Sequence, residues 1–189
     1  MDAFVEDQTF ETIDFKAKPP AKGHYDHCTF LYCDLSSVNL SEIIFVDCVF
    51  TGCNLSMAAV SETVFRDVRF VDCKMLGVRF DQASTFGLSC GFEGCMLDHS
   101  SFYAMKMKKT NFLRCFLRQV DFTECDLSQA FFDGCDLADA VFERTVLEKA
   151  DLRGAFNYSI DPAGNKVKKA RFSLAGVHGL LTKFDILIE

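Results

Sequence analysis

The chain has no tryptophan, only three prolines and only four histidines among its 189 residues. Few histidines leave little material for a metal centre or a general base. No apolar run approaches the roughly 20 residues of a membrane-spanning helix. Bases are outnumbered by acids, 20 to 27, for a net charge of −7. That balance argues against a general nucleic-acid binder, which needs a basic surface to neutralise phosphates. Met1 to Phe15 carry five acids and no base, the reverse of a secretory leader, so a cytoplasmic protein is expected. No Gly-rich phosphate loop occurs, and no Ser, Cys and His set suggests a nucleophile. Neither enzyme chemistry nor a cofactor is expected.

What the chain does have is 21 phenylalanines and ten cysteines, both in a strict order. A large apolar residue recurs every fifth position from Phe30 through Leu35, Leu40, Phe45 and onward to Phe80. After a slip it runs again from Phe92 through Leu97 and Phe102 to Leu152. This is neither the 3.6-residue period of a helix nor the 2-residue period of a strand. A strict short repeat implies stacked coils. All ten cysteines, among them Cys33, Cys53, Cys73, Cys95, Cys115 and Cys135, precede such a central residue by two. Ala130, Ala140 and Thr63 fill the same slot elsewhere, so it asks for a small, mostly apolar side chain. Cysteine there acts as a small hydrophobe, with no disulfide or metal role. His24 and His27 flank Cys28, but His27 falls on an outward slot and Cys28 on an inward one, so no metal site is expected.

The clearest units are Cys33-Asp34-Leu35-Ser36-Ser37, Cys53-Asn54-Leu55-Ser56-Met57, Cys125-Asp126-Leu127-Ser128-Gln129 and Cys135-Asp136-Leu137-Ala138-Asp139. They resemble the pentapeptide-repeat family: a small residue, Asp or Asn, Leu or Phe, then two variable residues. The resemblance implies an all-β fold, a right-handed quadrilateral β-helix with four units per coil. Residues 20 apart would then stack, placing Phe30, Phe50 and Phe70 in one ladder and Phe102, Phe122 and Phe142 in another. The 24 units make about six coils, or about 29 Å at ~4.8 Å per coil.

Three regions are expected. Residues 1–24 form an N-terminal lead-in segment and cap, 25–156 the repeat β-helix, and 157–189 a C-terminal tail. Phe80 to Phe92 is 12 residues, so two extra residues lie within 81–91. If they bulge at a corner, Phe70 stacks under Phe92. They form either a tolerated corner insertion or a partner-contacting loop. In the tail, Leu174 to Phe184 has the spacing of a short helix and 185–189 reads as a strand. Phe172, Leu174, Val177, Leu180, Leu181, Phe184, Ile186 and Ile188 either cap the last coil or form a homodimer. The tail resembles the dimer module of the quinolone-resistance and microcin-immunity members of the family, which favours the homodimer.

Residues 121–151 hold nine acids and two bases. Asp121, Glu124, Asp126, Asp133, Asp136, Asp139 and Glu143 are the candidate partner surface. Lys106, Lys108, Lys109, Arg114 and Arg118 lie just below with no acid among them. The acids are either the solvated outer positions of a repeat that prefers Asp, or an anionic rod that imitates duplex DNA. Folding by 20 spreads them over all four faces. The resemblance to the quinolone-resistance subgroup implies a non-enzymatic protein that binds DNA gyrase or topoisomerase IV and protects it from inhibitors. The alternative is a scaffold for another bacterial protein, with no topoisomerase role.

Overall fold

The computed structural model describes residues 2–184 and 186. The chain winds as a four-sided, all-β parallel solenoid. Among the described residues, nine strands form one continuous parallel sheet, from Thr9–Glu11 at the bottom to Arg171–Phe172 at the top. A second sheet, of four strands, lies on the preceding side: Ala3–Glu6, Gly23–Asp26, Ile44–Val46 and Val64–Arg66. The four-stranded side is face one, the nine-stranded side face two, and faces three and four follow in chain order. Single parallel bridges, such as Asp34↔Asn54 on face three and Asp121↔Val141 on face four, tie those sides together. No helix is long and apolar enough to cross a membrane among the described residues.

Stacking residues 20 apart lets each coil's backbone groups pair with the coils above and below. It also brings like side chains into register. Phe30 pairs with Phe50 and Phe50 with Phe70, and their rings stack with centroids 4.4 and 5.1 Å apart. Phe102, Phe122 and Phe142 stack at 5.4 and 5.3 Å. The rings of adjacent faces meet edge to face, as Phe112 does with Phe102. Offset stacking and edge-to-face contact are the favoured arrangements of aromatic pairs.

Cysteine occupies its slot for a second reason besides size. The Cys53 thiol donates to the Phe30 carbonyl at 3.3 Å and the Cys135 thiol to the Phe112 carbonyl at 3.2 Å, each in the coil below. Thr63 and Thr145 make the same bond with their hydroxyls, to Leu40 and Phe122. All ten cysteines are free thiols.

The two extra residues are placed on face one. The four-stranded sheet stops at Val64–Arg66, and in the next coil Phe86 stands out into solvent with the Arg66 guanidinium over its ring. The neighbouring face is undisturbed. Val68–Val71 pairs directly with Cys90–Glu93, and Phe70 stacks under Phe92 at 5.4 Å.

The solenoid is longer than the repeat predicts, about eight turns instead of six. Ala3–Glu6 and Thr9–Glu11 already pair with the coil above, and Arg171–Phe172 still pairs with Asp151–Leu152. The parallel pairing therefore runs past both ends of the expected 25–156 span. At the ends only part of the small-x-large code persists, with Phe10 stacked on Phe30 and Phe15 buried, whereas backbone pairing requires no particular side chain and carries the coiling on. The expected helix over Leu174 to Phe184 is instead two 3-10 segments, Val177–Leu180 and Thr182–Phe184. Gly176 and Gly179 pack against Tyr158 there, holding the tail to the last coil. Of the expected strand at 185–189, Asp185 and residues 187–189, including Ile188, lie outside the described residues.

Candidate functional site

Each five-residue unit presents three outward positions: the residue before the centre, the one after it, and the corner residue that follows. The corner is left-handed almost everywhere, as at Ser37, Met57, His99 and Gln129. That conformation costs an L-residue roughly 1–2 kcal/mol and turns the side chain outward. The residue before the centre has a local task. The carboxylate or amide oxygen of Asp34, Asn54, Asp121, Asp126, Asp136 and Asp151 accepts the backbone N–H two residues on. This is the Asx-turn that makes Asp and Asn good corner formers.

The seven candidate acids therefore divide. Asp121, Asp126 and Asp136 hold corners. Asp136 is buried, accepts the Arg118 Nε–H at 2.7 Å and the Asn157 amide at 2.8 Å, and is shared between face three and the turn above it. Burial pushes its carboxyl up, but Asn157 and Arg118 outweigh burial and hold it below the usual carboxylate range. Asp126 lies on face one, 3.3 Å from Lys108. Its carboxyl is likewise held low by Ser128 and Lys108 against the cost of burial. Asp133 is exposed on face two. The remaining four gather around face four. Asp121 and Glu143 lie on it, and Asp139 and Glu124 sit at its two corners. Glu124 accepts from Arg144 at 2.9 Å, and Glu143 is 4.0 Å from the same guanidinium. Above them an open cleft of about 780 Å³ separates face four from the tail, lined by Asp139, Glu143, Arg144, Asp161 and Lys183 among others.

Asp136→Ala removes two charged hydrogen bonds and a corner bond together. It is expected to destabilise the fold by about 2 kcal/mol, against under ~0.5 kcal/mol for exposed Asp133→Ala, as read by urea unfolding. Because the folded pKa of Asp136 is lowered, its contribution is present above an unfolded value near 3.9 and is lost as the pH falls below that value. Equal effects of the two substitutions at neutral pH would show that Asp136 is only solvated.

The tail residues also divide. Phe172 and Leu180 are half-buried against the core, with the Phe172 ring 5.7 Å from Tyr158. Leu174 is 89% exposed, and Val177, Phe184 and Ile186 are also exposed. Leu181 is intermediate. His27 points outward and Cys28 inward, as their slots require. The sequence does not suggest the surface group around His27, whose Nδ1 lies 2.8 Å from Asp26 and Nε2 4.0 Å from Asp47. Asp26 and Asp47 come together only through the stacking of residues one coil apart. Nor does the sequence suggest the exposed apolar side chains of face three, Met96 and Phe116 one above the other and Phe156 beyond Asp136. Their pattern lies in outward slots, where the repeat code is silent.

The solved structures similar in fold include a trypsin-treated form of QnrB1, a plasmid-mediated fluoroquinolone resistance protein, at TM-score 0.63 and 16% identity, covering 100% of both chains. A second trypsin-treated form gives 0.56 and 18%, covering 100% of this chain and 99% of that one. HetL, a pentapeptide-repeat protein involved in heterocyst differentiation regulation in the cyanobacterium Nostoc, gives 0.52 and 15%, over 89% of this chain and 85% of its own. No curated protein matches by sequence. The profile of the pentapeptide repeat region matches residues 24–102 and 86–154, and the chain belongs to the pentapeptide-repeat family.

Proposed function

We propose that this chain is a non-enzymatic interaction protein that docks on DNA gyrase or topoisomerase IV through face four and protects the enzyme from quinolone-type inhibitors. The observation that carries the reading is the gathering of Asp121, Glu124, Asp139 and Glu143 on one side of a rigid rod. Fixed carboxylates on a rod of this kind offer a basic DNA-binding groove the electrostatics of a phosphate row. The imitation is local to that face. Duplex DNA carries about 22 charges over the rod's ~38 Å, whereas the chain's net charge is −7. The likeness to QnrB1 adds a fold used by a fluoroquinolone resistance protein. Exposed Leu174, Phe184 and Ile186 supply an apolar end for tail-to-tail homodimerisation, which would double the length of the rod.

The test is gyrase supercoiling with and without a quinolone, across a titration of the protein. Rescue by the parent chain is expected, with loss of rescue in Asp139→Asn/Glu143→Gln and no loss in Asp133→Asn on face two. Rescue that is the same in all three would remove face four from the reading. A second reading rests on face three. Met96 and Phe116 are exposed one above the other, with the Arg118 guanidinium 5.2 Å over the Phe116 ring, and Phe156 is exposed two coils above Phe116, beyond Asp136. Such a column suits a scaffold for another bacterial protein, bound without salt dependence and lost on Phe116→Ser while supercoiling is untouched.

A further inference from the structure

The corner between faces one and two changes sign halfway up the molecule. Reading upward, its left-handed residues are Asp7, His27, Asp47 and Asp67, and then, above the insertion, Lys109, Gln129, Lys149 and Lys169. All eight are exposed. They form one column because each corner N–H donates to the coil above: Asp7 to Asp26, His27 to Val46, Asp47 to Arg66, Lys109 to Ser128, Gln129 to Glu148, and Lys149 to Lys168. The two halves share the same side of the rod because the sheet that follows the corner runs unbroken from Val68–Val71 through Cys90–Glu93 to Asn111–Leu113. The adjoining column of face one repeats the pattern at its ends, with Glu6 at the bottom and Lys168 at the top. Between the halves stands exposed Phe86.

We propose that this side of the rod pairs with the same side of a second copy, antiparallel. A two-fold axis lying in the contact plane, across the rod at the Phe86 coil, reverses the direction of stacking but leaves each column facing itself. It sets opposite charges together at Asp7 against Lys169 and Asp67 against Lys109, while His27 faces Lys149 and Asp47 faces Gln129. Because the contact is isologous, every attraction occurs twice. The parallel arrangement would instead oppose like charges at six of the eight levels, all but those of His27 and Gln129. Arg66, Arg69, Asp126, Glu148 and Asp151 run against the trend, but Asp126 is already 3.3 Å from Lys108 and Asp151 2.7 Å from Arg153 of its own chain. Phe86 lies near the axis, where the two rings meet. A polyanion fits less well, since it would be attracted to the upper half and repelled by the lower.

Eight inter-coil steps of ~4.8 Å make the face about 38 Å long. At a width of roughly 10 Å the pair buries about 800 Å² in total, below the ~1,200 Å² of a stable interface. The dimer is therefore weak and held by charge, and it is screened by salt. This surface is separate from face four and from the apolar end of the tail, Leu174 to Ile186, although Lys168 and Lys169 lie at the start of the tail.

Sedimentation velocity of the full chain tests it. With the apolar tail disabled by Leu174→Glu, a dimer is expected at about 20 mM salt, dissociating at about 500 mM, where the screening length falls to a few ångströms. Lys109→Glu/Lys169→Glu and Asp7→Lys/Asp67→Lys should each weaken association at least about tenfold, roughly 1.4 kcal/mol. An equimolar mixture of the two variants should form the mixed dimer, since each restores the other's opposite signs. Leu174→Glu, which disables the tail, should leave the low-salt dimer intact. A parent chain that stays monomeric at low salt would overturn the proposal. So would a dimer indifferent to both charge reversals, a mixture that fails to associate, or association lost only with Leu174→Glu. Heparin binding that is lost in the Lys variant, with no self-association, would overturn it in favour of a polyanion.

Discussion

Raising the pH from about 8 to about 10 is expected to remove several kcal/mol of this protein's folding stability, through thiols in its core. Cys48, Cys95 and Cys115 are fully buried. Burial pushes Cys48 up to about 12. The neighbouring thiols, Cys115 for Cys95 and Cys135 for Cys115, together with burial, push the other two to about 12 as well. In the unfolded chain a thiol ionises near 8.5. The folded values are the higher ones, so the thiols contribute full stability below that pH. The contribution is lost as the pH climbs towards 12. Each thiol costs about 1.4 kcal/mol per pH unit above 8.5. At pH 10 that is about 2 kcal/mol for each of the three, against a typical total of ~5–15 kcal/mol, and it is offset in part at Cys135, whose thiol the bond with Cys115 shifts downward. Urea unfolding from pH 7 to 11 should show the loss. Alanine occupies the same slot at Ala130 and Ala140, so Cys95→Ala/Cys115→Ala should cost little at pH 7 and move the alkaline transition upward. An alkaline midpoint unchanged by that double substitution would assign the loss to lysines and tyrosines instead.

Phe112→Ala should be among the most damaging single changes, at about 3–5 kcal/mol. The ring is fully buried. It stacks on Phe92 at 5.2 Å and under Phe132 at 5.0 Å, and meets the edges of Phe102 and Phe122 at 5.9 and 6.0 Å. Removing it opens a void that the coils cannot close, because their spacing is fixed by the backbone ladder. Coils in a solenoid are stabilised chiefly by their neighbours, so a break at mid-ladder weakens the coupling of the two halves. Phe112→Leu should recover much of the loss, as leucine serves at the same level of face three in Leu117. Phe86→Ala, outside the core, should change stability by less than ~0.5 kcal/mol. A loss at Phe112 no larger than at Phe86 would mean that the ladder fills space without stabilising it.

The five-residue period was enough to establish a stacked coil, to list nearly every core residue from Phe30 to Leu152, and to place the cysteines inside. Each inward slot is dictated by the space in its own coil, so the pattern is local and survives in one dimension. The stack of Phe70 under Phe92 followed from the same logic once the slip was seen. Other features became visible only in three dimensions. The first and last coils carry only fragments of the code, Val5, Phe10 and Phe15 at the bottom and Val167 and Phe172 at the top, and owe their continuity to backbone pairing. The left-handed corner accepts Tyr32, Met57 and Lys149 alike, so composition does not announce it. Asp136 and Asp133 look equivalent in a run of acids, yet one is buried between Arg118 and Asn157 and the other faces solvent. The acidic lower and basic upper halves of one corner appear only when residues 20 or 22 apart are laid over one another. Outward side chains answer to neighbours one coil away, and which neighbour that is depends on where the two inserted residues bulge. Core identity was therefore a property of the sequence, and surface electrostatics a property of the stacking.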